Sequence, residues 1–88
     1  MKQEKELHEV IIRVDKDVLK YFGEQKYYNG FISEKEIVGK MEMRFLTQSL
    51  HGFARYYLLF GEFADIISPL ELKTTIAGIL KDISKRLK

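Results

Sequence analysis

The 88-residue chain contains no cysteine, no tryptophan and only one proline. Without cysteine it has no disulfide, no thiolate nucleophile and no cysteine-ligated zinc site. Its longest apolar run, residues 56–60, is far below the roughly 20 residues that a transmembrane helix requires. Residues 1–9 mix basic and acidic side chains and lack the apolar segment of a signal peptide. We therefore expect a cytoplasmic protein that does not contact a membrane.

A strong charge of either sign is also missing. Lys and Arg number 15 and Asp and Glu number 13, and a net charge of +2 does not by itself indicate a nucleic-acid partner. Hydrophobic residues make up 45% and charged residues 32% of the chain, which are proportions typical of a folded globular domain. We divide the chain into a charged lead-in, residues 1–8, and one small domain, residues 9–88.

Two segments alternate apolar and polar residues with the period of a strand that has one buried face. In residues 9–14 the buried face would carry Val10, Ile12 and Val14, and in residues 40–46 it would carry Met41, Met43 and Phe45. The opposite face of the two strands would then carry Ile11, Arg13, Glu42, Arg44 and Leu46. That second face must be covered by solvent or by a partner.

The pattern between these two strands is less regular. Asp15 can cap a short helix over residues 16–22, and Gly23 can provide its left-handed stop. Asn29 and Gly30 can form a tight turn. We expect the edge strand of the sheet in residues 25–38, ending near Lys35.

Two amphipathic helices follow the second regular strand. Ser49 is placed to cap the first and Gly61 to end it, and its predicted buried stripe is Leu50, Phe53, Ala54, Tyr57 and Leu58. A short strand is expected over residues 62–67. Ser68, Pro69 and Glu71 then form the pattern of an N-cap, a first-turn proline and a capping box. The last helix should run to about Leu87, with an apolar stripe of Leu72, Ile76, Ile79, Leu80, Ile83 and Leu87.

The predicted order of elements is βαββαβα. This order indicates an α+β protein, a ferredoxin-like βαββαβ sandwich with an added C-terminal helix. Its sheet would be antiparallel, with the first and third strands as central neighbours.

The sequence shows no catalytic or metal-binding pattern. His8 and His51 are the only histidines, and they lack the spacing of a metal motif. No glycine-rich phosphate loop is present, and no nucleophile is paired with a base. We expect no enzyme activity, no metal and no cofactor. Gly52 lies inside the predicted second helix, where either a closely packed second backbone or simple tolerance of glycine would explain it.

The segment MEMRFLTQSLHGFARYYLLFGEFADIISPLEL, residues 41–72, resembles the WCX module, the C-terminal extension of WYL-domain transcription regulators. The family pattern is a strand, an amphipathic helix that ends in apolar residues before glycine, a short strand, and a proline before a leucine-rich helix. The matching residues are Leu58, Leu59, Phe60, Gly61, Ile66, Ile67, Pro69, Leu70 and Leu72. Residues 10–15 are similar to the family's opening strand, so the resemblance covers roughly residues 9–87.

This resemblance implies a cytoplasmic bacterial transcription regulator with an N-terminal winged helix-turn-helix and a central WYL domain. Neither domain is carried by these 88 residues, and the tripeptide of residues 56–58 is not the WYL motif. DNA would be bound only through the helix-turn-helix domain. The module itself would pack against those domains, form dimers and take part in the effector response.

Two functions are open at this point. The first is a regulatory and oligomerisation module that self-associates or docks on the WYL and helix-turn-helix domains, through a surface of Ile11, Leu46, His51, Tyr56 and Leu59. The second is a stand-alone effector sensor that binds a nucleotide or single-stranded nucleic acid. Its anion contacts would be Arg13, Arg44 and Arg55, because guanidinium groups pair well with phosphate. The third strand lacks the aromatic stacking residues of a ferredoxin-like RNA-recognition motif.

Overall fold

The computed structural model describes residues 6–21 and 25–87. Four strands form one sheet in the order β2-β3-β1-β4, and each neighbouring pair is antiparallel. The strands are β1 (His8–Asp15), β2 (Phe31–Ile37), β3 (Lys40–Thr47) and β4 (Ala64–Ser68). The helices are α1 (Gln25–Tyr28), α2 (Leu50–Tyr57) and α3 (Leu70–Arg86), with 3₁₀ segments at Lys16–Tyr21 and Gly61–Phe63. The predicted fold class, a ferredoxin-like α+β sandwich with an added C-terminal helix, is confirmed.

One face of the sheet carries the hydrophobic core, as the alternation in β1 and β3 predicts. Helices α2 and α3 pack together over this face and, with the turn that follows α2, are called the helical layer here. The buried residues come from β1, β3, β4, both helices, the turn after α2 and the first 3₁₀ segment: Val10, Ile12, Val14, Val18, Met43, Phe45, Phe53, Ala54, Tyr56, Phe60, Ala64, Leu72, Ile76 and Ile79. Because the first 3₁₀ segment supplies only Val18 to this set, the added helix α3 provides much of the helical layer.

Helix α2 begins as predicted and ends earlier than predicted. The Ser49 hydroxyl oxygen accepts a hydrogen bond of 2.9 Å from the amide of Gly52, which satisfies one of the free N–H groups of the first turn. The helix ends at Tyr57, so the stop predicted at Gly61 is wrong. The Tyr57 hydroxyl donates to the carbonyl oxygens of Gly61 at 3.2 Å and Ala64 at 2.8 Å. These bonds hold the turn and the 3₁₀ segment against the end of the helix.

The exposed Gly52 has no second backbone beside it. A Cβ atom built at this position would meet only the Ser49 side chain within 4 Å, at ordinary contact distances. Simple tolerance therefore explains this glycine better than close packing does.

The predicted capping box at the start of α3 is wrong. Ser68 is the last residue of β4 and pairs with Ile11 of β1, so its backbone belongs to the sheet. Pro69 occupies the N-cap position, and no side chain caps the helix. The strand thus continues one residue further than expected, and the helix begins directly after the proline.

The first connection differs most from its prediction. A 3₁₀ helix replaces the α-helix expected over residues 16–22, and Gly23 lies outside the described residues. The expected edge strand is present as β2, but it begins after α1 and continues to Ile37 instead of ending near Lys35. The charged residues at 34–36 do not break this strand, because an edge strand leaves their side chains free to reach solvent and neighbouring charges.

Two tight turns depend on positive φ angles. Gly30 has φ +88°, and a Cβ atom there would lie 1.8 Å from the carbonyl oxygen of Leu46, so no other residue fits without a shift of the backbone. The two-residue turn between β2 and β3 has φ +30° at Val38 and +82° at Gly39. Positive φ at both positions is typical of hairpin turns, but a β-branched residue there is strained.

Candidate interaction surfaces

The sheet face opposite the helices, here called the open face, carries rows of alternating charge. In the central row the register aligns Lys35 of β2, Glu42 of β3, Arg13 of β1 and Asp65 of β4. The Arg13 Nε atom donates to Glu42 Oε1 at 2.9 Å, and Lys35 Nζ lies 4.0 Å from Glu42 Oε2. Each strand therefore places a charge beside the opposite charge of its neighbour, an arrangement that stabilises antiparallel pairs.

Two further ion pairs flank this row. Lys40 Nζ lies 2.6 Å from Asp15 Oδ1, and this hydrogen bond, with the charge of Asp15, raises the pKa of Lys40 above its ordinary value of 10.5. The guanidinium group of Arg44 pairs with the carboxylate of Glu9. The cations and anions of these three rows are equal in number, so the open face is close to neutral.

The three arginines predicted to contact an anion do not form one site. Arg13 and Arg44 lie on the open face, and each already pairs with a carboxylate. Arg55 lies on the exposed side of α2, in the layer that covers the other face of the sheet. A phosphate bound by Arg13 or Arg44 would have to displace Glu42 or Glu9.

The residues predicted to form a docking surface fall into three groups. Ile11 and Leu46 lie on the open face, as expected, and Leu46 is partly exposed. His51 and Leu59 are exposed on α2 and on the turn that follows it, and the side chain of Leu59 is 71% exposed. The placement of Tyr56 on the outer surface is wrong, because it is only 7% exposed.

An aromatic cluster explains the burial of Tyr56. Its ring makes edge contacts with Phe45, Phe53 and Phe60, with ring centroids 6.2, 5.5 and 5.1 Å apart. Such edge-to-face pairs stabilise beyond the area they bury. Burial also raises the pKa of Tyr56 from 10.0 to about 12. Tyr56 is therefore part of the core, and the neighbouring Tyr57, expected to be buried, is only partly so.

The lengths of the two helices leave a groove at one end of the helical layer. Helix α3 has 17 residues and α2 has 8, and the last turns of α3 form a groove with the first turns of α2. Ile83 and Leu87, predicted to be part of the buried stripe, are 40% and 77% exposed. The resulting terminal groove has a volume of about 360 Å³ and is lined by His51, Arg55, Ile79, Asp82, Ile83, Arg86 and Leu87.

A second groove lies at the other end of α2. It has a volume of about 540 Å³ and an apolar lining from α2, β4 and α3 that includes Leu58, Ile66, Ile76 and Leu80. Lys73 and Glu62 also line it, so its charged groups oppose each other in sign. Leu80, the third member of the predicted stripe that is not buried, is half exposed here.

The cations of the helical layer differ from those of the open face. Within the described part of the chain, none of them forms an ion pair with an acidic residue: Arg55, Lys73, Lys81, Lys85 and Arg86. The sequence contained a signal for the terminal groove, since the apolar stripe of the last helix is longer than that of α2. Periodicity alone predicts that the whole stripe is buried in the core.

Neither metal binding nor membrane insertion is indicated by the described residues. Among residues 6–21 and 25–87, no group of three or more His, Asp or Glu side chains is placed to hold a metal ion. None of the described helices has the length and apolar character needed to span a bilayer.

No protein-family model matches the chain, and no curated protein matches it.

Proposed function

We propose that this chain is a non-catalytic interaction module, the C-terminal regulatory and oligomerisation module of a WYL-type bacterial transcription regulator. It mediates interdomain or dimer contacts in the cytoplasm and takes part in the effector response. The family assignment comes from the resemblance over residues 9–87. The observation that carries an interaction role is the exposure of aliphatic side chains in the helical layer, at Leu59, Leu80, Ile83 and Leu87.

The helical layer is better suited to docking than the open face. The charges of the open face are paired within the chain, and a partner would have to desolvate these ion pairs without gaining new ones. The helical layer presents aliphatic side chains next to cations that no described carboxylate neutralises. Apolar contacts surrounded by charges are typical of protein interfaces.

The alternative function, a sensor for a nucleotide or single-stranded nucleic acid, has less support. Arg13 and Arg44 are already paired, and Arg55 lies in a different layer. A thermal shift with nucleotides or oligonucleotides that disappears in an Arg13→Ala/Arg44→Ala variant would favour this alternative.

Sedimentation velocity tests the proposed function. The chain is measured alone over a wide range of concentrations, and mixed with WYL-domain proteins of the same organism. We expect a concentration-dependent mass or a complex, which Leu59→Glu weakens and Leu46→Glu leaves unchanged. Both substitutions place a carboxylate at an exposed aliphatic position, but on opposite layers. A chain that remains monomeric at the highest concentration and forms no complex would overturn the proposal.

A further inference from the structure

We propose that the terminal groove binds an amphipathic helix of a partner polypeptide whose apolar stripe is flanked by carboxylates. This inference rests on the proposed function and specifies the partner. The groove is the space between the last two turns of α3 and the first turns of α2.

The shape of the groove favours a helix. The α3 residues Leu72, Ile76 and Ile79 are buried within the core, and the same stripe continues at Ile83 and Leu87 with the spacing of three to four residues that packs helix against helix. The exposed part of the stripe forms one side of the groove, and the first turns of α2 form the other. This part of the stripe is therefore a direct continuation of an established helix–helix interface, and a second helix placed in the groove would cover it.

The charges of the groove favour an acidic partner. Arg55 of α2 and Arg86 of α3 both line it, with His51 beside them, and neither arginine pairs with an acidic residue in the described ranges. Asp82 is the one carboxylate among the lining residues. A helix with Glu or Asp on both flanks of its apolar stripe would place carboxylates near the two guanidinium groups, which form strong charge-assisted hydrogen bonds.

The same charges disfavour a second copy of this chain as the occupant. Two copies docked groove to groove would bring four arginines together against two aspartates. Like charges brought together in this way oppose association.

A displayed library of helical peptides provides the test. Each peptide has a fixed stripe of leucines and randomised residues on both flanks, and the library is selected on the intact 88-residue chain. We expect Glu and Asp to be enriched on the flanks. Selection on an Arg55→Glu/Arg86→Glu variant should instead enrich Lys and Arg, and the best acidic peptide should bind this variant at least about tenfold more weakly, equivalent to about 1.4 kcal/mol.

Lys81→Glu is the matched control, because it makes the same change of charge on α3 outside the lining of the groove. It should retain the preference for acidic flanks, and circular dichroism should show that all variants are folded. No enrichment on the flanks, or the same enrichment on the double variant, would overturn the inference.

Two other outcomes would also overturn it by identifying a different occupant. One is a dimer of the chain that the double variant abolishes. The other is binding to phosphatidylglycerol vesicles that the double variant abolishes, without a preference for acidic peptides.

If the library fails while the chain still forms a complex that Leu59→Glu weakens, the inference fails and the proposed function stands. If no complex forms at all, the proposed function fails as well.

Discussion

The open face and the helical layer differ in how their charged side chains are paired. On the open face, neighbouring strands place opposite charges within ion-pair distance, so that Arg13, Lys40 and Arg44 are all paired with carboxylates within the chain. In the helical layer, Arg55 and Arg86 remain beside exposed aliphatic side chains. One surface of this small domain thus has its charges paired internally, while the other leaves cations without an ion pair beside exposed aliphatic side chains.

Substitutions at two neighbouring residues of β3 should give the largest difference in the free energy of unfolding between the two faces of the sheet. Phe45 is fully buried beneath α2, whereas Leu46 points to the open face. Phe45→Ala should lower the free energy of unfolding by about 3–5 kcal/mol, because it removes apolar contacts and leaves a cavity. Leu46→Ala should lower it by less than about 1 kcal/mol. Urea unfolding measures both, and similar losses would show that the open face is covered by more than solvent.

Alkaline pH should lower the stability of both the helical layer and the open face, for different reasons. Burial raises the pKa of Tyr56 to about 12, and the bond to Asp15 raises that of Lys40 above 10.5. The folded state therefore holds these protons more tightly than the unfolded state does, so stability is retained below pH 10 and falls as the pH rises towards 12. Tyrosine absorbance and circular dichroism follow the transition.

Tyr56→Phe is the control for this pH dependence, because it removes the Tyr56 hydroxyl from the helical layer and leaves in place Lys40 and Tyr57, whose pKa is also raised by burial. The loss of stability between pH 10 and pH 12 should become shallower in this variant. An unchanged slope would assign the alkaline transition to other groups.

The ion pairs of the open face should have a smaller effect. The Glu42 carboxylate is largely buried and interacts with both Arg13 and Lys35. Glu42→Gln should lower the free energy of unfolding by about 0.5–1 kcal/mol, and less at high salt, since its partners Arg13 and Lys35 are exposed to solvent, which screens the interaction. Glu62→Gln, at a carboxylate with no ion-pair partner among the described residues, should change it by less than about 0.5 kcal/mol. Equal effects would remove the distinction between paired and unpaired charges.

A gain of stability of similar size is expected in the helical layer. Gly78 lies inside α3, and a Cβ atom there would meet nothing within 4 Å. Gly78→Ala should therefore raise the free energy of unfolding by about 0.5–1 kcal/mol through the lower conformational entropy of the unfolded chain. A loss measured by thermal unfolding would show that this side of α3 is closely packed after all.

Periodicity predicted the parts of the fold that depend on one element at a time. The alternation in β1 and β3 placed residues such as Val10 and Phe45 on the core side, and Ser49 marked the start of α2. It failed where the outcome depends on contacts between elements. Tyr56 and Tyr57 are neighbours with similar apolar character, and only the ring cluster of Phe45, Phe53 and Phe60 decides that Tyr56 is buried.

The candidate surfaces were predicted less completely, for the same reason. Which arginines are already paired depends on the register between strands, which places Glu42 opposite Arg13. Whether a stripe on α3 is buried depends on the length of the helix beside it. Neither property can be read from a single segment, and the family resemblance supplied a role without locating it on the surface.

The strand order has a consequence for the synthesis of this protein. Strand β1 is made first, yet it lies in the sheet between β3 and β4. While the chain leaves the ribosome, strand β1 has no neighbouring strand to pair with until residues 40–47 have emerged. The sheet is complete only after residue 68. Nascent chains that wait for distant segments fold slowly and expose apolar surface in the meantime. The first strand of this sheet thus depends on the last strand to complete its pairing.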